Sequence, residues 1–236
     1  MKLTTNIKVK RQTAAFEAMR MANVGSTAQE LVTKSLDDES FKELVPRRRP
    51  NGNKGTFGRV LVIAGSHNMA GAAVLAARGA FAAGCGMVKV LTPECNRLII
   101  QIAVPEAILE TYNEEVIEET TINSLEWATS ILIGPGLSMD DAAKDLLDIV
   151  LEYDAHKPIV VDADALNIIS RDLNTTRLRD KRAIVTPHLG EMSRLVGIPI
   201  SEIQQHKIET AEAFSTHHEI TVLLKDACSV IASPDH

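Results

Sequence analysis

From Gly58 onward the chain repeats one unit: a short continuous apolar run, a glycine or polar break, a helical stretch, then another apolar run. RVLVIAG is followed by MAGAAVLAARGAFAAG and then by MVKVLTP, which together read as a βαβ unit. SILIGPG, PIVVDAD, AIVTPH and TVLLK are further runs of the strand type, and helical stretches such as DDAAKDLLDIVLEY lie between several of them. Strands that are apolar on both faces and alternate with helices predict a mostly parallel sheet covered by helices on both sides, a three-layer α/β sandwich. The chain ends in LLKDACSVIASPDH, a strand, a polar turn and a second small strand.

Residues 1–45 lack that rhythm and read as a separate arm. Ala15, Met19, Ala22 and Leu31 could share one face of an amphipathic helix from about Gln12 to Lys34, interrupted at Gly25, and LDDESFKEL reads as a short helix with acidic residues in its first turn. PRRRPNGNKG is a linker, so the domain proper is placed at 46–236. A net charge of −6 argues against blanket neutralisation of a nucleic acid, and Arg47, Arg48 and Arg49 read as a solvated linker segment. Cys85, Cys95 and Cys228 are odd in number and widely spaced, which fits a reducing compartment and neither a disulfide framework nor a metal cluster. No apolar stretch reaches the roughly 18 residues of a membrane span, and the N-terminus lacks the apolar core of a signal peptide, so a cytoplasmic protein is expected.

In such sheets ligands bind beyond the carboxyl ends of the strands. The unusual residues fall there: Gly65 and Ser66, then Gly134-Pro135-Gly136, Asp162-Ala163-Asp164, Thr186-Pro187-His188, and Lys225-Asp226. AGSHNMAG would leave backbone N–H groups free at a helix start, for an anion or simply for a tight turn. GPG strips side chains from a turn. Alternation along DAD would turn Asp162 and Asp164 to one side, toward a hard cation such as Mg²⁺, or Asp164 could cap the helix that begins ALNII. In TPHLGEM, Glu191 follows His188 by three residues, and it could orient a hydrated Mg²⁺ or complete a helix cap.

GSHNMAGAAVLAARGAFAAGCGMVKVLTP, IGPGL, VVDADALN and TPHLGEMSRLVG, in this order, resemble the ADP/ATP-dependent NAD(P)H-hydrate dehydratases, a branch of the ribokinase-like superfamily. The resemblance runs from about Leu36 to Ala232. It implies repair of NADH or NADPH that has gained water on the nicotinamide ring, with ADP or ATP as co-substrate and Mg²⁺. Phosphorylating the ring hydroxyl turns a poor leaving group into a good one, and elimination restores the dihydronicotinamide; a kinase-like scaffold suits the first step. By this resemblance Ala72, Gly136 and His188 contact the hydrated nucleotide, while Lys225, Asp226, Ala227, Cys228 and Ser229 form the adenine-nucleotide segment. Glu191 is the metal-associated acid, and Gly65, Ser66, Asp162, Asp164 and Asn167 line the site. A homotetramer is implied.

The departures are specific. KDACS places Asp226 and Ser229 where the family's K-G-A-x-T has glycine and threonine, Ser138 replaces a third glycine in G-P-G-L-G, and Asn53 stands where His is common. The family's G-[ST]-G-D loop, whose aspartate is the base, does not occur in these 236 residues. The expectation is a C-terminally truncated member that recognises its substrate without carrying the catalytic aspartate. Two alternatives compete with it: a small-molecule kinase of the hydroxymethylpyrimidine kinase type, which His188, GPGL and DADALN argue against, and a non-catalytic nucleotide-binding remnant.

Overall fold

The computed structural model describes residue 48 and residues 50–113, 115–153, 156–172, 178 and 182–234; the arm expected at 1–45 lies outside them. Every apolar run named above becomes a strand. The strands are β1 (Arg59–Ile63), β2 (Met87–Pro93), β3 (Ile108–Tyr112), β4 (Ser130–Ile133), β5 (Ile159–Val161), β6 (Ala183–Val185), β7 (Thr221–Leu224) and β8 (Val230–Ala232). The helices are α1 (Ala70–Ala82), α2 (Arg97–Ala103), α3 (Ile117–Trp127), α4 (Asp141–Glu152), α5 (Asp164–Asp172), α6 (Leu189–Val196), α7 (Ile200–Gln205) and α8 (Lys207–His218). They pack on one eight-stranded sheet of order β3-β2-β1-β4-β5-β6-β7-β8, in which only the β7–β8 pair is antiparallel.

Side-chain alternation on β1 divides the core. Val62 and Ala64 face Ala73, Val74 and Ala77 of α1 and Ile100 of α2. Leu61 and Ile63 face the larger core that contains Leu146, Leu147, Met192 and Phe214. Ala70, Ala73, Val74 and Ala77 form the buried stripe of α1 at helical spacing, and their small side chains let the backbone lie close to the sheet. Helices therefore lie on both faces, as the apolar runs require. The α1 side is covered unevenly: on β6 and β8 that face carries Ile184 and Ile231, which are 40% and 68% exposed.

Candidate functional site

The chain builds outward from β1 to β2 and β3, then returns to place β4 on the other side of β1. That reversal opens a crevice between the carboxyl ends of β1 and β4, the place where open parallel sheets bind ligands. Both strands leave it through glycine. Gly65 N–H donates to the Pro135 carbonyl at 2.9 Å, and Gly134 N–H donates to the Ile63 carbonyl at 3.1 Å. Gly136 has φ 63°, and a Cβ placed on it would lie 2.7 Å from Ala72 Cβ and 2.9 Å from Met69 Cβ. Ala72 and Gly136, 64 positions apart in the sequence, thus pack together as one floor, with the half-exposed Met69 beside them. Asn96, buried and not anticipated from the sequence, holds the Gly65–Ser66 turn by donating to the Ser66 carbonyl at 3.2 Å and to Thr92 Oγ1 at 2.9 Å.

Along the same edge, the ends of β5, β6 and β7 carry the charged groups. Asp162 Oδ1 pairs with Lys225 Nζ at 2.7 Å, bridging β5 to β7 across the end of β6. Asp164 turns elsewhere: its Oδ2 accepts the Ser138 N–H at 2.9 Å and its Oδ1 receives Asn167 Nδ2 at 3.5 Å. The two carboxylates of DAD therefore do not share one partner set. The extended alternation that would have aligned them breaks at Ala163, which takes φ 51°. Asn167 is held in turn by Arg194 Nε, 2.8 Å from its Oδ1.

His188 caps α6. Its Nδ1 accepts the N–H of Gly190 at 2.9 Å and of Glu191 at 3.3 Å, while its own N–H donates to Glu191 Oε2 at 2.8 Å. An Nδ1 that accepts leaves the ring proton on Nε2, which lies 3.4 Å from Glu191 Oε1. The capping interaction left open for Glu191 is thus formed, with this carboxylate buried. The imidazole edge remains half exposed at the cleft.

The turn after β7 is tied to the sheet through Lys225 N–H, which donates to the Pro187 carbonyl at 2.7 Å. Asp226 does not stand free in it. Lys207, the first residue of α8, donates through Nζ to Asp226 Oδ2 at 2.9 Å and to the Cys228 carbonyl at 3.2 Å. The Lys207 hydrogen bond, helped by the Ala227 N–H, lowers the Asp226 pKa below the ordinary carboxylate value. Ala227, Cys228 and Ser229 are exposed. Lys207 was not anticipated, since no motif includes it; its only signal is an unplaced lysine at the start of a helix.

Among the described residues no group of three or more His, Cys, Asp or Glu side chains is arranged to hold a metal ion. Glu191 spends both oxygens on His188, Asp162 is paired with Lys225, and Asp226 with Lys207. These residues do not fit a resident Mg²⁺.

Three layers around a mostly parallel sheet, with a glycine-floored crevice at its reversal and a lysine-bearing turn on the same edge, define a ribokinase-like α/β protein. An Enterococcus faecalis ribokinase-like superfamily protein superposes with a TM-score of 0.74 at 27% identity, covering 84% of this chain and 68% of that one. The model for the NAD(P)H-hydrate dehydratase family matches residues 60–236, and the chain belongs to that family. The Bacillus subtilis ADP-dependent (S)-NAD(P)H-hydrate dehydratase is 34% identical over 199 residues, 84% of this chain and 68% of that protein. The crystal structure of the ADP/ATP-dependent NAD(P)H-hydrate dehydratase from B. subtilis, co-crystallized with ATP/Mg²⁺, has a TM-score of 0.72 at 33% identity, covering 84% of this chain and 69% of that one. The bifunctional NAD(P)H-hydrate repair enzyme Nnr of Moorella thermoacetica is 35% identical over 199 residues, 81% of this chain and 37% of that protein. The chain thus spans little more than a third of the bifunctional relatives it matches.

Proposed function

We propose that the strand-end cleft binds hydrated NADH or NADPH beside an adenine nucleotide, and that the protein works in ADP- or ATP-driven dehydration of the S hydrate to NAD(P)H. The observation that carries this is the meeting of Ala72 and Gly136 at the β1–β4 crevice, where two small residues keep side-chain atoms few beside the strand ends. The exposed edge of His188 offers a hydrogen bond to the ring substituents, and Lys225 with the turn through Ser229 offers a cation and backbone groups to phosphates. Any Mg²⁺ would come with the nucleotide phosphates rather than be held by these carboxylates, consistent with its preference for phosphates and few carboxylates.

Recognition is the part these residues perform. Four carboxylates along the β5–β7 edge already have protein donors: Asp162 has Lys225, Asp164 has Ser138 N–H, Glu191 has His188 N–H, and Asp226 has Lys207. Each of the four is thereby tied to a protein partner, and no contact singles one out as a base for the ring hydroxyl. The chain is supplied with hydrated NADH, Mg²⁺ and either ADP or ATP while the dihydronicotinamide absorbance is followed. Saturable binding of the hydrate is expected, and a nucleotide-dependent return of absorbance would show that a proton acceptor is also present. Neither binding nor return would remove the reading.

The nucleotide turn gives a separate expectation. Without Lys207, the Asp226 carboxylate faces incoming phosphate unpaired. Lys207→Met should weaken ADP binding about tenfold at low ionic strength, with a deficit that shrinks as salt screens the repulsion. The Lys207→Met/Asp226→Gly pair should bind ADP like the parent. The wild-type clamp follows the sign of a lowered pKa: its contribution is fully present above the ordinary carboxylate range and is lost as pH falls through the depressed value. An Asp226 variant that leaves ADP affinity unchanged in the Lys207→Met background would contradict this placement of the phosphates. We also place the protein in the cytoplasm as a tetramer; the apolar exposure of Ile184, Ile231, Leu98 and Ile102 supports an interface with further copies.

A further inference from the structure

A cavity of about 570 Å³ opens on the β1–β3 side of the Gly136 floor, within the size range of small-molecule sites. Ser66 and Leu137 make it continuous with the crevice, since each directly follows one of the glycines there. None of the motifs read from the sequence reaches its far wall. That wall is Tyr112, the last residue of β3, which is only 7% exposed. Among the described residues no hydrogen bond reaches the Tyr112 hydroxyl, and the one fully buried side-chain oxygen without a partner is Ser124 Oγ, so the phenol oxygen opens onto the cavity. A phenol whose ring is mostly buried and whose hydroxyl opens onto a cavity can hydrogen-bond a polar ligand group there. Burial, with the Asp140 carboxylate nearby, pushes its pKa up, so it stays a neutral donor and acceptor.

The charges that face the cavity select its occupant. Asp140 and Glu115 contribute carboxylates, and His67 is the one basic side chain in the lining. Asp140 already accepts Ser138 Oγ at 2.6 Å and the Ala143 N–H at 2.9 Å, which holds it in place and leaves lone pairs over. Two carboxylates beside one histidine disfavour a phosphate and favour hydroxyl donors, while Pro93, Leu137 and the Tyr112 ring supply apolar walls for a planar base.

We propose that this cavity receives the adenosine half of the dinucleotide substrate, with the ribose hydroxyls toward Tyr112 and the two carboxylates, so that the protein prefers hydrated NADH to hydrated NADPH. The inference rests on the dehydratase reading of the neighbouring floor. It assigns the cavity to an uncharged nucleoside, and the extra ribose phosphate of the NADPH form is what the carboxylates repel.

The test is calorimetric titration of the chain with hydrated NADH, hydrated NADPH and, separately, AMP. Wild type should bind hydrated NADH about tenfold more tightly than hydrated NADPH. Tyr112→Ala should weaken both hydrates about tenfold, and Tyr112→Phe should weaken them less, because only the hydroxyl is lost. Glu115→Lys, an exposed position that the fold does not depend on, should erase or invert the preference between the two hydrates; it decides the matter even where Tyr112→Ala fails to fold. Equal binding of the two hydrates by wild type, unaltered by Glu115→Lys, would overturn the assignment of the cavity while the floor site stands. If wild type binds AMP and neither hydrate, the dehydratase reading fails first and the cavity assignment falls with it.

Discussion

Gly134→Ala should cost the protein more than about 4 kcal/mol of stability, at the extreme of what single substitutions do. Gly134 has φ 123°, a conformation that side-chain-bearing residues rarely adopt. A Cβ there would stand 1.8 Å from the Asp162 carbonyl oxygen and 2.9 Å from Ala165 Cβ. Neither neighbour can yield, because Asp162 N–H is bonded to the Ile133 carbonyl at 3.1 Å and Ala165 is fully buried at the start of α5. Relief requires parting β4 from β5. Gly79→Ala is the control: a Cβ on Gly79, within α1, meets nothing within 4 Å, so it should gain about 0.5–1 kcal/mol from helix propensity. Urea midpoints that shift equally for the two variants would contradict the described approach of β4 to the β5 turn.

Gly136→Ala tests the site rather than the frame. Its φ of 63° lies in the left-handed region, where an alanine costs about 1–2 kcal/mol, to which the contacts at the start of α1 add. The larger effect is local: the new methyl would stand 2.7 Å from Ala72 Cβ and 2.9 Å from Met69 Cβ, so the start of α1 must move and carry Ala72 away from its place at the crevice. Binding of hydrated NADH should fall about a hundredfold, with ADP binding at the Lys225 turn unchanged. Parallel losses for both ligands would mean that the substitution acts through folding, and thermal melting separates the two cases.

Much of this was legible in the sequence because the strands are short apolar runs whose punctuation is chemical. The glycines of GPG and the polar residues at the other strand ends outlined the crevice, and Ala72 and Gly136, drawn from different motifs by resemblance, meet at its floor. Other elements carried no such signal. Helix α8 buries Thr210, Ser215 and His218 with its apolar residues, so no clean stripe marks it, and the lysine that clamps Asp226 begins that helix. Helix α2 exposes Leu98 and Ile102 at 70% and 80%, inverting the usual reading of apolar residues as core, and β3 beside it ends in the Tyr112 that walls the cavity. Asp162 and Asp164 share a period in the sequence and part company in space because Ala163 adopts a positive φ that composition does not announce. The TPHLGEM spacing admitted both a cap and a metal ligand; the hydrogen bonds of His188 and Glu191 form the cap.

The most direct measurement is a crystal structure of this chain grown with hydrated NADH and AMP. The hydrated ring should lie against Gly136 and Ala72 with its substituents at the exposed edge of His188, and AMP phosphate should lie at the turn from Lys225 to Ser229. A ring found elsewhere on the sheet edge, with the Gly136 floor empty at saturating ligand, would contradict the assignment of this crevice to the nicotinamide hydrate.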